Sequence, residues 1–370
     1  MSPPEIAQIS WLKAIVTLGV IAGLVLSPRL WLSSRACRLV PVWDFLQPLP
    51  PPFDYLVLVI MLGLLLWIAV ASRPAIPVAA FLAIAIGYAM SDQSRWQPWF
   101  YQYLFMLAAL SRRDSSLDIC RLIVAAVYFW SGAHKINPEF ARDTLPWMLG
   151  SLPEHLPAFV RACIPILGFA APIAEMAIAV GLLTMRFRRA AVIGALVMHA
   201  FIMISIGVLH RYYDVIVWPW NVAMCVFVVL LFWNHGKRVT VGRTWFPRLV
   251  LLLFGIAPAL RLVNLGDAYP SFALHSGNNN TATIYMADAV ADRLPPAMQE
   301  FVTVNDSLVD ELDLFEWSFG ELNVPPYAEV RIFKKVGKRV CAAAGNPKEM
   351  VLVVLGHRRQ KAYDCAALSR

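Results

Sequence analysis

Long runs of apolar residues dominate this chain and limit what it can fold into. A run of about 18 or more apolar residues without charge can cross the ~30 Å hydrocarbon core of a bilayer as a helix. Here 59% of the 370 residues are hydrophobic and 15% are charged, whereas soluble domains carry about 25% charged residues. Soluble packing cannot bury this excess, so we expect lipid to be the solvent for most of the chain.

The apolar runs predict an all-α polytopic membrane bundle of about 8–9 transmembrane helices over residues 1–265. Residues 266–370 mix charged and apolar side chains, and predict a small α+β or mostly β domain outside the membrane. In it, Val351 to Leu355 predicts a buried strand. The predicted helices are 10–28, 54–72, 75–91, 96–111, 117–134, 160–184, 190–209, 215–234 and 248–265.

Basic residues at alternate connections predict the orientation of the bundle, because cytoplasmic loops carry an excess of Lys and Arg. The N-terminus should be cytoplasmic and the C-terminal domain periplasmic or extracellular, with a bacterial inner membrane as the expected location. Arg29, Arg35 and Arg38 disagree, and they point to a re-entrant or interfacial segment near 29–53. The basic connections are Arg112-Arg113, Arg186 to Arg189, and Lys237 to Arg248.

The net charge of +8 does not indicate a nucleic-acid partner. The basic residues fall mainly in short connections, where they face anionic lipid headgroups. The expected partners are the lipid bilayer and, under the hypotheses below, a secreted or membrane protein.

The six cysteines have neither the paired short spacing of a zinc site nor the density of a disulfide scaffold. Cys341 and Cys365, both in the polar C-terminal region, suggest a disulfide, which an outward location permits. We predict no metal site, because His210 and Asp214 have ligand spacing but no evident third ligand.

Lys135 follows an apolar helix directly, with no proline or basic cluster to end that helix. A lysine at the centre of a membrane helix costs about 2.5–3.5 kcal/mol to insert, so it usually faces a cavity or a partner. Glu175 lies within the predicted span 160–184 and needs a cation or a proton. We favour Lys135 as its partner, with Arg161 next. Two simpler interpretations stay open: Lys135 extends to the headgroups, or the pair only holds two helices together.

His199, in the middle of the predicted span 190–209, is the third candidate for a catalytic residue. In a catalytic site, apolar surroundings would favour the neutral amine of Lys135, which could then act as a base. Glu175 would orient or balance it and His199 would relay a proton, although a lone histidine on an apolar helix is more often a hydrogen-bonded core residue. The predicted substrate-binding residues are His134, Tyr128, Trp130, His210 and Asn221.

The pattern Tyr128-Phe129-x-x-Gly132-x-x-Lys135-Ile136 resembles the membrane region of vitamin K-dependent gamma-carboxylase and its bacterial relatives, the horizontally transferred transmembrane (HTTM) proteins. Glu175 before a Gly-Leu-Leu run, the helix with His199, and Trp218-Pro219-Trp220-Asn221 follow in the order of that family. The resemblance implies a carboxylase-like lyase of the membrane. In such an enzyme Lys135 would deprotonate a reduced quinone cofactor similar to vitamin K hydroquinone.

These observations leave hypotheses of three classes. The first is a carboxylase-like membrane enzyme that uses lysine general-base chemistry on a quinol-type or other lipophilic substrate at the outward face. The second is a non-catalytic membrane scaffold or maturation partner for a secreted protein. A transporter is weaker, because the sequence shows no inverted repeat and no pair of broken helices. A ligand-sized pocket lined by Lys135, Glu175 and His199 would favour the enzyme, and a filled bundle would favour the scaffold.

Overall fold

Apolar helices make up most of the chain. The computed structural model describes residues 3–37, 39–112, 116–209, 214–304, 309–356 and 359–369. The longer helices of the first part are α1 (Pro3–Leu26), α2 (Phe53–Val70), α3 (Ala75–Met90), α4 (Pro98–Leu110), α5 (Ser116–His134), α6 (Ile164–Leu183), α7 (Arg188–Met203), α8 (Val217–Phe232) and α9 (Trp245–Val263). A π-helical turn, Ile204–Leu209, extends α7, and α9 changes from α-helix to a π turn at Leu251–Ile256 and to a 3-10 helix at Ala257–Val263.

Shorter helical turns connect these elements. They are Pro28–Trp31, Gln93–Arg95, Phe140–Thr144, Leu145–Leu149, Leu152–His155, Ala158–Ala162, Asp288–Ala291, Pro296–Gln299, Leu314–Trp317, Ser318–Leu322 and Cys365–Ser369.

Six helices in the described part of the chain have the length and apolar composition to cross a membrane: α1, α2, α5, α6, α7 with its extension, and α9. α3 and α8 are apolar but shorter, and α4 has 13 residues. Large apolar side chains also point outward from the spans: Leu66 is 62% exposed and Val197 is 65% exposed. Lipid solvates such surfaces. The prediction of a polytopic helical membrane protein is confirmed, and the count of 8–9 spans stays a prediction.

A close approach between α5 and α6 fixes the geometry of the site. A Cβ atom on Gly132 of α5 would lie 2.6 Å from the carbonyl oxygen of Pro172 and 2.9 Å from Cγ of Met176. Gly168 of α6 is equally close to Ala141, whose Cβ would lie 2.5 Å from an added Cβ. Small residues let the backbones of membrane helices approach in this way. The contact places Glu175, one turn after Pro172, beside the helix that carries Lys135.

The described part of the C-terminal region contains β1 (Thr281–Ala287), β2 (Val309–Asp313), α10 (Val330–Ala343), β3 (Met350–Gly356) and β4 (Arg359–Asp364). The strands form a four-stranded antiparallel sheet in the order β2-β1-β3-β4. In β3, Met350, Leu352 and Val354 are buried in alternation, as expected for a strand with one covered face. Gly337 of helix α10 lies close to Leu352, so this helix packs on that face. The strand predicted at 351–355 is confirmed.

A disulfide joins Cys341, near the end of α10, to Cys365, directly after β4. It ties the helix to the last strand of the sheet.

The chain divides into two compact units. Unit 1 comprises Met1–Gly23, Ile60–Ile84 and Gln97–Asn278, and unit 2 comprises Leu24–Val59, Ala85–Trp96 and Asn279–Arg370. In unit 2 the backbone N–H of Ala36 donates to Glu321 at 2.5 Å, and the indole N–H of Trp317 donates to the same carboxylate at 2.6 Å. Segments from the first part of the chain therefore belong to the same unit as the C-terminal region. The division predicted from the sequence, 1–265 and 266–370, stays a prediction.

Buried arginines of unit 2 explain part of the disagreement in the orientation pattern. Arg35 forms an ion pair with Asp92 at 2.7 Å, and both side chains are buried. Arg95 is fully buried, donates to the carbonyl oxygens of Leu30 and Trp31 at 3.0 and 2.8 Å, and lies 3.8 Å from the ring centre of Tyr88. Arg35 thus serves the packing of unit 2 rather than the headgroup region. Arg38 lies outside the described residues.

Candidate functional site

Lys135 and Glu175 form an ion pair inside the bundle of unit 1. Lys135 Nζ lies 2.8 Å from Glu175 Oε2 and donates to Ser131 Oγ at 2.6 Å. The two charged side chains are 13% and 9% exposed. A buried charge is tolerated when an opposite charge and further hydrogen bonds accompany it. The arrangement therefore satisfies both groups and links α5 to α6.

A hydrogen-bonded network of Tyr128, His199 and Asn221 joins the helices α5, α7 and α8. Tyr128 Oη lies 2.6 Å from His199 Nε2, and His199 Nδ1 lies 2.7 Å from Asn221 Oδ1. Because the amide nitrogen of Asn221 donates to the carbonyl oxygen of Val217 at 2.8 Å, its oxygen is the atom that faces His199. A neutral His199 then donates from Nδ1 and accepts the Tyr128 proton at Nε2. Both ring nitrogens of a neutral His199 are thus hydrogen-bonded, and the network carries no charge.

Tyr128→Phe is expected to reduce the free energy of unfolding by about 1–3 kcal/mol, because it leaves Nε2 of a buried histidine without a donor. Tyr103 provides a matched control: its buried hydroxyl makes no hydrogen bond to any residue that the structure describes, so Tyr103→Phe should be neutral or stabilising. Thermal unfolding of the purified variants in one detergent compares them directly. Equal losses for the two variants would show that the Tyr128 hydrogen bond contributes nothing.

A cavity of about 80 Å³, counted as the space open to the centre of a water-sized sphere, lies beside both groups. It has room for a few waters or one very small molecule, since one water needs about 10–15 Å³ on this measure. Pockets for larger ligands measure about 300–1,000 Å³. The polar side chains on its wall are Tyr128, Ser131, Lys135, Glu175, His199, Asn221 and His275.

Five of the residues proposed from the sequence thus meet at this cavity: Lys135, Glu175, His199, Tyr128 and Asn221. The structure places two others elsewhere. Trp130 Nε1 donates to the carbonyl oxygen of Gly255 at 3.2 Å, and the buried ring of His134 stacks on Trp130 with centroids 5.7 Å apart. His210 lies outside the described residues. No group of three or more metal-ligating side chains forms among the residues that the structure describes.

His275 is a wall residue that sequence reasoning missed. Its Nε2 lies 3.9 Å from Oδ2 of the fully buried Asp214. Among the residues that the structure describes, neither carboxylate oxygen of Asp214 nor Nε2 of His275 has a hydrogen-bond partner. Burial raises the pKa of Asp214 to about 8, and burial, with Lys135 nearby, lowers the pKa of His275 to about 4. Both shifts favour the neutral forms at pH 7. His275 follows the last apolar run, where no periodic pattern marks it.

One family model, described as methylamine utilisation protein MauE, matches residues 113–217. The match spans α5, α6, α7 and the first residue of α8, and contains Tyr128, Lys135, Glu175 and His199. No curated protein and no solved structure matches the chain.

The resemblance to the gamma-carboxylase and HTTM proteins is therefore wrong, and so is the carboxylase-like function that it implied. The residues behind it make contacts between helices: Gly132 lets α6 approach, Lys135 binds Glu175 and Tyr128 binds His199. Small residues and polar pairs recur wherever membrane helices are in close contact. A short pattern of this kind follows from packing and does not identify one family.

Proposed function

We propose that this protein is a membrane accessory protein: a scaffold or maturation partner for another protein, serving methylamine utilisation. The observation that carries the proposal is the family match over 113–217, the stretch that supplies most of the polar wall of the cavity. It favours the second of the hypotheses drawn from the sequence.

The pairing of the polar side chains supports a structural role for them. Lys135 is bonded to Glu175 and Ser131, and His199 is bonded at both ring nitrogens. Polar side chains that bond across helices hold membrane bundles together. The neighbouring cavity, about 80 Å³, is smaller than ordinary ligand pockets. We therefore interpret the pair and the network as contacts that fix α5, α6, α7 and α8 in place.

The partner is a secreted or membrane protein on the outward side. The distribution of Lys and Arg in the connections supports a cytoplasmic N-terminus and an outward C-terminal region in a bacterial inner membrane. The disulfide between Cys341 and Cys365 suits an oxidising compartment. We assign contact with the partner to this outward region.

Deletion of the gene in a host that grows on methylamine tests the proposal. Growth with methylamine as the only nitrogen source should be lost, while growth on ammonium should be unchanged. The enzyme that oxidises the amine should still be transcribed, but its active form should be missing from the periplasmic fraction. A plasmid with the wild-type chain should restore both. Normal growth and normal amine oxidation in the deletion strain would refute the proposal.

A further inference from the structure

A second and larger cavity lies in unit 1, between the first turns of α1 and α5 and the segment that follows α8. Its volume is about 670 Å³ on the same measure, which is within the range of small-molecule sites. None of the candidate residues from the sequence lines it, and the proposed function does not use it.

The wall carries an excess of positive charge. Arg121, Lys237 and Arg238 face Glu5 and Asp118. The carboxylate of Asp118 is already engaged: it accepts from Arg121 at 2.8 Å and from the hydroxyl of Thr240 at 2.8 Å. Arg121 and Asp118 therefore balance each other, and Lys237 and Arg238 supply the excess positive charge of the wall.

The segment that carries Lys237 and Arg238 is held by a buried guanidinium. Arg188 donates from Nη1 to the carbonyl oxygens of His235 and Lys237, the latter at 2.9 Å, and from Nε to that of Leu182 at 2.8 Å. Burial, together with Arg121 and Arg188, lowers the pKa of His235 to about 4. His235 therefore stays neutral at pH 7. The positive charge of the cavity comes from Lys237 and Arg238, on a segment whose backbone carbonyls Arg188 binds.

Apolar side chains complete the wall. Ile9, Leu117 and Leu230 line the cavity together with the basic residues. It lies at the ends of membrane-spanning helices, on the face that the basic connections predict to be cytoplasmic. A phospholipid has both features at this depth, because its phosphate is followed by apolar chains, and basic pockets between membrane helices bind anionic headgroups.

We propose that this cavity binds a phosphate group, with Lys237 and Arg238 as the cations that recognise it. Two sources supply this chemistry, an anionic phospholipid headgroup and a soluble phosphate compound. Lys237 and Arg238 are exposed, so their replacement leaves the helix contacts intact.

The first experiment measures lipid retention by native mass spectrometry of the full chain, purified in micelles that contain equal phosphatidylglycerol and phosphatidylcholine. The wild type should retain phosphatidylglycerol preferentially, and Lys237→Gln/Arg238→Gln should reduce this preference by about tenfold or more. The matched control is Arg243→Gln/Arg248→Gln, which removes the same charge from the end of this connection and the first turn of α9 but does not touch the lining. The control should keep the preference.

The second experiment adds inorganic phosphate alone to the lipid-free protein and follows thermal unfolding. Stabilisation of the wild type but not of the Lys237→Gln/Arg238→Gln variant, without preference for phosphatidylglycerol, would support the site with soluble phosphate as its source. The proposal is overturned if the wild type responds to neither probe, or if the control variant loses as much as the cavity variant. Neither result depends on growth with methylamine.

Discussion

Lys135→Met is expected to lower the free energy of unfolding by about 3–5 kcal/mol, because Glu175 would remain as a buried charge with no cation beside it. The wild-type distance of 2.8 Å and the small exposure of both side chains make solvent a poor substitute for the lysine. The variant should reach the membrane at reduced abundance and unfold at a lower temperature or detergent strength. Equilibrium unfolding in mixed micelles measures the loss.

The double variant Lys135→Met/Glu175→Leu should recover most of that stability, since apolar residues of similar volume often replace a buried ion pair at no net cost. It should also restore growth on methylamine to a deletion strain. A double variant that folds and inserts normally but does not restore growth would contradict the structural role and assign chemistry to Lys135.

Lys13→Met serves as the matched control for the single variant. Lys13 also lies in a spanning helix, but its Nζ donates to the carbonyl oxygen of Ala71 at 2.5 Å rather than to a carboxylate. Its removal leaves no unpaired acid, so the loss should be about 1 kcal/mol. Comparable losses at positions 13 and 135 would mean that the charge of Glu175 is not the cause.

Asp214→Asn is expected to stabilise the protein, increasingly as the pH rises. Burial raises the pKa of Asp214 from 3.8 to about 8, so the folded protein keeps a proton that the unfolded chain releases. The resulting loss in the free energy of unfolding is absent below the unfolded pKa, grows between the two pKa values, and is complete above pH 8. The amide removes it with little change of shape, and asparagine accepts the left-handed backbone at this position, where φ is 55°.

The gain for Asp214→Asn should be about 2 kcal/mol at pH 5 and several kcal/mol at pH 9. Thermal unfolding of both proteins at the two pH values measures it. Asp143→Asn is the control, because Asp143 is exposed and its replacement should give no gain that grows with pH. Unchanged or lower stability of Asp214→Asn at pH 9 would show that the carboxylate is stabilised in the fold, for example by a protonated His275.

Local patterns explain what could be predicted from the sequence. Apolar runs marked the membrane helices, and a short β-branched run marked β3, because both depend on neighbours within a few residues. Isolated charges in apolar helices singled out Lys135 and Glu175, because an unpaired charge in lipid is costly. The sequence alone shows that Lys135 follows one apolar run and that Glu175 lies within another, and no tertiary contact had to be known.

What escaped prediction depends on contacts between residues far apart in the chain. His275 meets Asp214 from a segment after the last apolar run, where no periodicity points to it. The backbone N–H of Ala36 donates to Glu321 because their two segments pack together in unit 2. Neither residue stands out from its neighbours in the sequence. The family resemblance failed for a related reason: a spacing that any close helix contact produces was taken as the mark of one chemistry.

Unit 2 is built from segments that lie far apart in the chain, and this has a consequence for its biosynthesis. A ribosome releases Leu24–Val59 and Ala85–Trp96 early, but the rest of unit 2, Asn279–Arg370, emerges only after the last membrane helix. The backbone N–H of Ala36, which donates to Glu321, must therefore wait for its acceptor until translation is almost finished. A fragment expressed from residue 266 onward would lack the earlier segments, so unit 2 should be produced from the whole chain and not as a soluble tail.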